Sequence, residues 1–516
     1  MTEITRRDFL KLSAGLAATA AALAACKPVG APTEVIAAPT GIPPTAPPTA
    51  IPASTAIPTP TAVPLSEETL IARTLRRIMF SPQANDYARA KQMGLGKFID
   101  EMLAQPQSDD PAVAPKLKDL PTLTLSAPDL VEYDVDGKRG KPAQELTRAT
   151  VLRSVYSSYQ LYELMTDFWT NHFNIYIGKN LDRVLKTVDD RDVIRKYALD
   201  KFSNILSASA HSAAMMIYLD NADSTKNKPN ENYAREILEL HTLGVDGGYT
   251  QQDVQELARV LTGWSVAGRK DAKPGEFQYR QAIHDTGTKT ILGKKYENNG
   301  QKEGEDVLAA LAKHRSTINY ISTKLVRRFV ADTPPQTLVA KVAKNFSESD
   351  GSIPSVMKMI LTSDEFRASL GGKFKRPYEF IISALRVTNA QVDPGTQIGS
   401  YLNQMGQPLF QWQTPDGYPD EAPAWATTNG MLSRWNFAIA LCSGNIKEAK
   451  IDLVPFTKDA TTIEAAIDVL SMAFLGEKIP DEGKAIMVKF AGNSNVKTAT
   501  PMLAALIIGS PYFQYR

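Results

Sequence analysis

The sequence predicts a mainly α protein: a large orthogonal or bundle-like body of many helices, with one or two small β-hairpin excursions. Apolar residues recur at three- and four-residue spacing through most of the chain after residue 65, and caps and glycine stops punctuate those runs. Strand-like alternation is confined to two short stretches.

The first helix reads from "SEETLIARTLRRIMF", with Leu70, Ile71, Leu75, Ile78 and Met79 as its apolar positions and Ser66 as its cap. "LGKFIDEMLAQP" is a short helix stopped by Pro106. "AQELTRATVLRSVYSSYQLYELMTDFWTNHFNIYIG" predicts two helices or one bent helix ending at Gly178, and "RDVIRKYALDKFSNILSASAHSAAMMIYLD" repeats the pattern. In "NENYAREILELHTLGVDGGYTQQDV" a helix is capped at or near Asn230 and stopped by Gly244. Thr250 with Asp253 three residues on starts the next, with Val254, Leu257, Ala258 and Leu261 on one face and Gly263 as its stop. Further helices are expected over Glu303–His314, Ser316–Phe329, Thr337–Phe346, Ile353–Leu361, Tyr378–Asn389, Asn429–Cys442, Thr462–Phe474, Asp481–Ala491 and Ala499–Ile508. The hairpin signals are "LVEYDVDGKRG", with Asp-Gly between short alternating runs, and "FQYRQAIHDTGTKTILGKKY".

The N-terminal residues are an address. Arg6 and Arg7 sit in a twin-arginine element, followed by an uncharged Ala/Leu-rich run too short for a comfortable membrane span. The run closes on Leu23-Ala24-Ala25-Cys26, which resembles a bacterial lipoprotein cleavage box. That resemblance implies a signal peptide over 1–25, removal before Cys26 and lipid on its thiol. More than one acyl chain then holds the protein stably to the outer face of the cytoplasmic membrane. Residues 26–64 are Pro, Thr, Ala and Val with almost no charge, the composition of an extended tether. Residues 65–516 form the helical domain.

Net charge is +2, which supports no nucleic-acid partner. Once Cys26 is lipidated only Cys442 remains, so neither an internal disulfide nor a cysteine zinc site is available. No Gly-x-Ser-x-Gly elbow and no Gly-rich phosphate loop is present in a suitable context.

The blocks "FWTNHFNI", "YLDNADS…PNENYAREILELHTLGVDGGYTQQDVQELARVLTGW", "HDTGTKTILG", "YISTKLVRRFV" and "MGQPLFQWQTPDGYP" occur in one order. They resemble the signature blocks of the domain of unknown function 1800 (DUF 1800) family, bacterial proteins commonly carrying export signals. The resemblance covers the chain from about Leu70 to its end. It implies no settled activity, but it implies a partner, an exported protein of the DUF 1501 family. "QWQTPDGYP" departs from the Pro-Pro-Asn-Val-Lys-Gly-Trp pattern of relatives.

Two function classes follow. One is an envelope binding or assembly protein, in which Phe410, Trp412, Tyr418 and Trp425 form an aromatic loop that meets envelope polysaccharide or a partner. The other is a metal-assisted hydrolase with a divalent metal. His172 and His211 lie at apolar-face spacing, and imidazoles and carboxylates from different helices are how bundles build such sites. His172, His211 and Glu236 would hold the ion or shuttle protons, with Asp285 or Glu239 positioning a water, and the His284-Asp285 pair could supply two ligands or a base with its neighbour's field. Each has a structural alternative. Glu231, Arg235 and Glu239 at i, i+4, i+8 read equally as an ion-pair stripe. His241, five after Glu236, falls about 140° round an α-helix from it. Adjacent His284 and Asp285 act together only if Gly287 bends the chain. Asp220–Glu231 resembles a calcium loop at its ends but not inside, so its side chains are expected to satisfy the local backbone.

Overall fold

The computed structural model describes residues 65–516 apart from 105 and 107. The twin-arginine element with Arg6 and Arg7, the lipidation position Cys26 and the 26–64 tether lie outside the described residues.

Ser66 starts the helical body as its sequence predicts: its hydroxyl accepts from the Thr69 amide and opens the Glu67–Ile78 helix, which buries Ile71, Leu75 and Ile78. Residues 141–172 are two helices, Lys141–Tyr156 and Gln160–His172, broken where Gln160 turns its amide back onto the Ser154 and Ser157 carbonyls. Ile353–Leu361 and Asp481–Ala491 match their expected bounds, and Asn230, Gly244, Thr250 and Asp253 act as read: Asn230 caps, Gly244 adopts φ +85° and Thr250 with Asp253 closes a capping box. One apolar core runs from Ile71 to Phe513 through almost every helix.

Three departures carry physical lessons. The Asp136-Gly137 hairpin does not form. Ser126 and Asp129 make a capping box with Pro128 in the first turn, so Ala127–Val131 is helical and turns follow it. The second hairpin is split. Phe277–Tyr279 pairs antiparallel with Trp264–Val266, while Lys289–Ile291 pairs with Lys294–Tyr296 around Leu292 and Gly293, both at positive φ. A third two-stranded pair joins Gln391–Val392 to Ala449–Lys450.

The third departure concerns winding. Residues Asp190–Arg195 and Ile237–Thr242 are π-helical, closing hydrogen bonds five residues back; the Leu243 amide reaches the Leu238 carbonyl at 2.8 Å. The α-helix from Glu231 therefore ends at Glu236, and the side chains beyond it leave the stripe that 3.6-residue spacing predicts.

A buried ionic cluster ties the C-terminal half to this body. Glu379 meets Arg328 at 2.9 Å and Arg516 at 2.8 Å, and Arg328 also meets Asp167 at 3.2 Å. Burial alone pushes the Glu379 carboxyl up, but Arg328, Arg516 and Arg376 outweigh it and hold the group well below its usual range. Removing one member would strand a buried charge.

Candidate functional site

The motif "FWTNHFN" ends the Gln160–His172 helix, and Trp169, Asn171, His172 and Asn174 each have a separate task. Trp169 points inward, its Nε1 donating to the Ala198 carbonyl. Asn171 lies along the 411–419 loop like a short strand: its Nδ2 donates to the Tyr418 carbonyl at 2.8 Å and its Oδ1 accepts from the Tyr418 amide at 2.7 Å. Asn174 donates to the carbonyls of Trp412 at 3.1 Å and Thr414 at 2.8 Å. Gly417 makes the approach possible. It has φ +74°, and a Cβ there would stand 2.2 Å from the Asn171 carbonyl oxygen.

The clamped loop roofs a cavity of about 400 Å³, whose walls include Phe168, His172, Tyr320, Lys324, Trp412 and Asp416. His172 is 1% exposed. Its Nε2 lies 3.2 Å from the His241 carbonyl, an acceptor only, so that nitrogen carries the hydrogen and Nδ1 presents a lone pair. The Lys324 ammonium donates to Nδ1 at 3.0 Å. Burial, then the positive Lys324, hold the His172 imidazole well below its ordinary range, so it is neutral. Burial pushes Lys324 down to about 8. The lysine is half-buried and takes no carboxylate partner among the described residues.

The other cations of the wall are already paired. Arg327 lies 3.4 Å from Glu421; Arg328 and Arg376 are held by Asp167, Glu379 and Asp420. Trp412 is half-buried, and its Nε1 donates to Asp416 Oδ1 at 2.8 Å. Lys324 is thus the wall's one unneutralised cation among the described residues, and exposed Asp416 is the anion at its rim.

Beside this rim stand Glu236, the last residue of the α-helix, and Glu239 of the π-turn. Burial, then the neighbouring Glu239, push the half-buried Glu236 carboxyl up to about 7, with Asp416 adding to the effect. Glu239 accepts from the Tyr249 hydroxyl at 2.7 Å rather than continuing the stripe. Only its first rung forms, Arg235 to Glu231 at 3.3 Å, with Gln251 bridging both.

The other predicted residues lie elsewhere. His211 is not inside a continuous helix; it ends Phe202–Ala210, and Ser212 caps the next helix. Its Nδ1 lies 2.7 Å from the Ser207 carbonyl, and its ring packs on Trp264 and Phe277. His172 instead packs on Phe173 and Tyr320, so the expected union of His172, His211 and Glu236 does not form. Among the described residues no group of three or more His, Cys, Asp or Glu is placed to hold a metal ion, and the donor set does not fit the divalent metal of the hydrolytic reading. His284 and Asp285 lie just after a 3-10 turn rather than in a strand, and they take separate partners. The ring joins the Thr262 carbonyl at 2.7 Å and Glu303 at 3.2 Å, while the carboxylate takes both Arg259 Nε at 2.8 Å and Nη2 at 3.1 Å. Asp285 thereby ties its segment to the Gln251–Val260 helix, while the 289–296 hairpin is held to that helix by the Thr290 and Leu292 amides donating to Glu256 and Asp253. In the Asp220–Glu231 loop, Asn221 donates to the Leu261 and Trp264 carbonyls and Asn230 caps, the backbone role expected of them.

The four aromatics divide as well. Phe410 is buried with Leu120, Leu123, Leu146 and Leu152, away from the cavity; Tyr418 and Trp425 pack with Phe374. Trp412 and Tyr418 line the cavity. Sequence reading passed over Lys324, Asp416, Asn171 and Asn174. Lys324 had left a signal: it lies three after Ile321 and four before Arg328, on the buried face of Arg315–Phe329, where a lysine calls for a reason.

No helix among the described residues is long and apolar enough to cross a membrane. A twin-arginine translocation signal sequence is matched at residues 3–24, which marks the chain for export across the cytoplasmic membrane. No curated protein and no solved structure matches the chain. A family model described as "Protein of unknown function (DUF1800)" matches residues 73–515, so the chain belongs to the DUF1800 family.

Proposed function

We propose that this is an exported, lipid-anchored binding protein of the cell envelope, with its ligand site in the cavity between His172, Lys324 and the 411–419 loop. The observation that carries this reading is Lys324: a cation on a cavity wall, without a carboxylate partner among the described residues, and oriented by a neutral histidine. Leaving an ammonium part-desolvated and unpaired is unfavourable unless a ligand uses it. Trp412 and Tyr320 supply aromatic walls beside that charge, a mixture suited to a polar ring compound. The Cys26 lipid and the 26–64 tether would hold the body outside the membrane, where polysaccharide and an exported DUF 1501 partner are within reach.

Two measurements test the two halves. Cys26→Ser should move the exported protein from the membrane fraction to the soluble one. Trp412→Ala should abolish retention of the full chain on isolated cell-wall polysaccharide. Retention unchanged by Trp412→Ala would refute the site, and membrane association unchanged by Cys26→Ser would refute the anchor.

A further inference from the structure

Resting on the assignment of that cavity as the ligand site, the geometry points to its ligand class: we infer that it takes a carboxylate-bearing sugar ring, with the carboxylate on Lys324 and the ring against Trp412. The argument is one of charge and donor counting. Arg327, Arg328 and Arg376 are matched by Glu421, Asp167, Glu379 and Asp420, which leaves one cation for a ligand. A single unpaired ammonium suits a monoanion; a phosphomonoester, with close to two charges, would bring one more negative charge than this wall can meet. Lys324 has three N–H donors and spends one on His172 Nδ1, so two remain for the two carboxylate oxygens. Burial pushes the lysine down to about 8, so it still carries its proton at pH 6.5.

The ring follows from the walls. Trp412 is fixed by its own Nε1 bond to Asp416 and by Asn174 on its carbonyl, so it offers a held, half-buried face. At about 400 Å³ the cavity has room for one or two sugar rings rather than a long segment. Asp416 stands at the rim with Oδ1 already accepting from Trp412 and Thr414; it repels a second anion and accepts from sugar hydroxyls. The same chemistry has two sources in an envelope: a hexuronate polymer, or a glycan whose amino sugar carries a lactyl carboxylate.

The test is calorimetric titration of the full chain in detergent at pH 6.5 and low salt, with four probes. These are a trigalacturonate, its methyl ester, a neutral trigalactose and a disaccharide containing the lactyl-substituted amino sugar. One acid should bind about tenfold or more tighter than the neutral trigalactose, the trigalacturonate also exceeding its ester if it is that acid, as expected for a hydrogen-bonded charge. Which acid does so separates the two sources. Lys324→Met should bring acidic and neutral sugars to equal binding, and Trp412→Ala should weaken every probe that binds. The wild-type comparison of acid with ester or neutral sugar stands even if Lys324→Met fails to fold. Equal binding of acidic and neutral sugars, still lost with Trp412→Ala, would overturn the carboxylate and leave the ligand site intact. Binding of none of the four would overturn both. A preference that survives in folded Lys324→Met would overturn the role of the lysine.

Discussion

Asn171→Ala is the most direct probe of how the cavity is roofed. The substitution removes one donor and one acceptor that together hold the Tyr418 backbone, at 2.8 and 2.7 Å, and leaves that amide and carbonyl without their partner at a residue only 9% exposed. Each neutral hydrogen bond contributes about 1 kcal/mol net, so the pair is worth about 2 kcal/mol, more if water fails to replace it. The loss falls on the 411–419 loop rather than on the whole domain, because the Gln160–His172 helix keeps Trp169 on the Ala198 carbonyl. Two kcal/mol corresponds to about a 30-fold rise in local opening. Amide hydrogen exchange at Tyr418 should therefore quicken by about that factor, while protection in the Ile353–Leu361 helix stays unchanged and the melting temperature falls little. Asn171→Asp, which keeps the acceptor and loses the donor, should show about half the effect in free-energy terms. Unchanged exchange at Tyr418, or a uniform loss of protection across the protein, would show that Asn171 does not clamp the loop.

Gly417→Ala should open the same loop further than Asn171→Ala, since it adds a methyl within 2.2 Å of a backbone oxygen at φ +74°; a loss of about 3 kcal/mol, read by the same exchange, is expected. His172 and His241 are buried and held below their ordinary range by burial, His241 at about 3. The unfolded chain therefore takes up protons below about pH 6.5 that the folded one refuses, and stability falls as pH drops from there toward 3, by up to about 1.4 kcal/mol per unit for each ring. His241→Phe should reduce that slope by about one proton and cost under about 1 kcal/mol at pH 7, because neither ring nitrogen has a hydrogen-bond partner among the described residues. Denaturant titrations at stepped pH would read both effects. Glu236 is displaced the other way, to about 7, so its contribution is present below about pH 4.5 and is lost as pH rises through 7. Glu236→Gln should stabilise the protein relative to the parent between pH 5 and 8, by about 1 kcal/mol after allowing for its exposure, as measured by the melting-temperature difference at the two ends of that range.

The helical body was legible because its signals are local. Ser66, Thr250 with Asp253, and Gly244 act within one turn of where they stand, and no distant contact contradicts them. Strand signals were less secure for the same reason: Asp136-Gly137 reads as a turn, but the Ser126 capping box upstream had already committed the chain to a helix. His211 was misplaced because Ser212, a capping residue inside an apolar run, was read through rather than as a stop. The winding of Ile237–Thr242 was invisible, since "ILELHT" has ordinary α-helical periodicity and the wide turn is imposed by its surroundings. The cavity needed three separated segments to meet. His172 and Trp412 were both singled out, yet nothing near either residue in the sequence shows that they share a wall, or that the intervening charge comes from Lys324.

The wide turn at Ile237–Thr242 has a consequence for insertions and deletions. A turn that closes five residues back holds one residue more than an α-turn needs, so the chain can lose Leu240 there and still complete its backbone bonds. Removing that extra residue restores α-winding and leaves the flanking turns in register, so the change falls within the turn itself and re-aims the His241 carbonyl that accepts from His172. A length change of a single amino acid, at a position that does not touch the cavity, would thereby free the imidazole to flip its tautomer and release the lysine it steers.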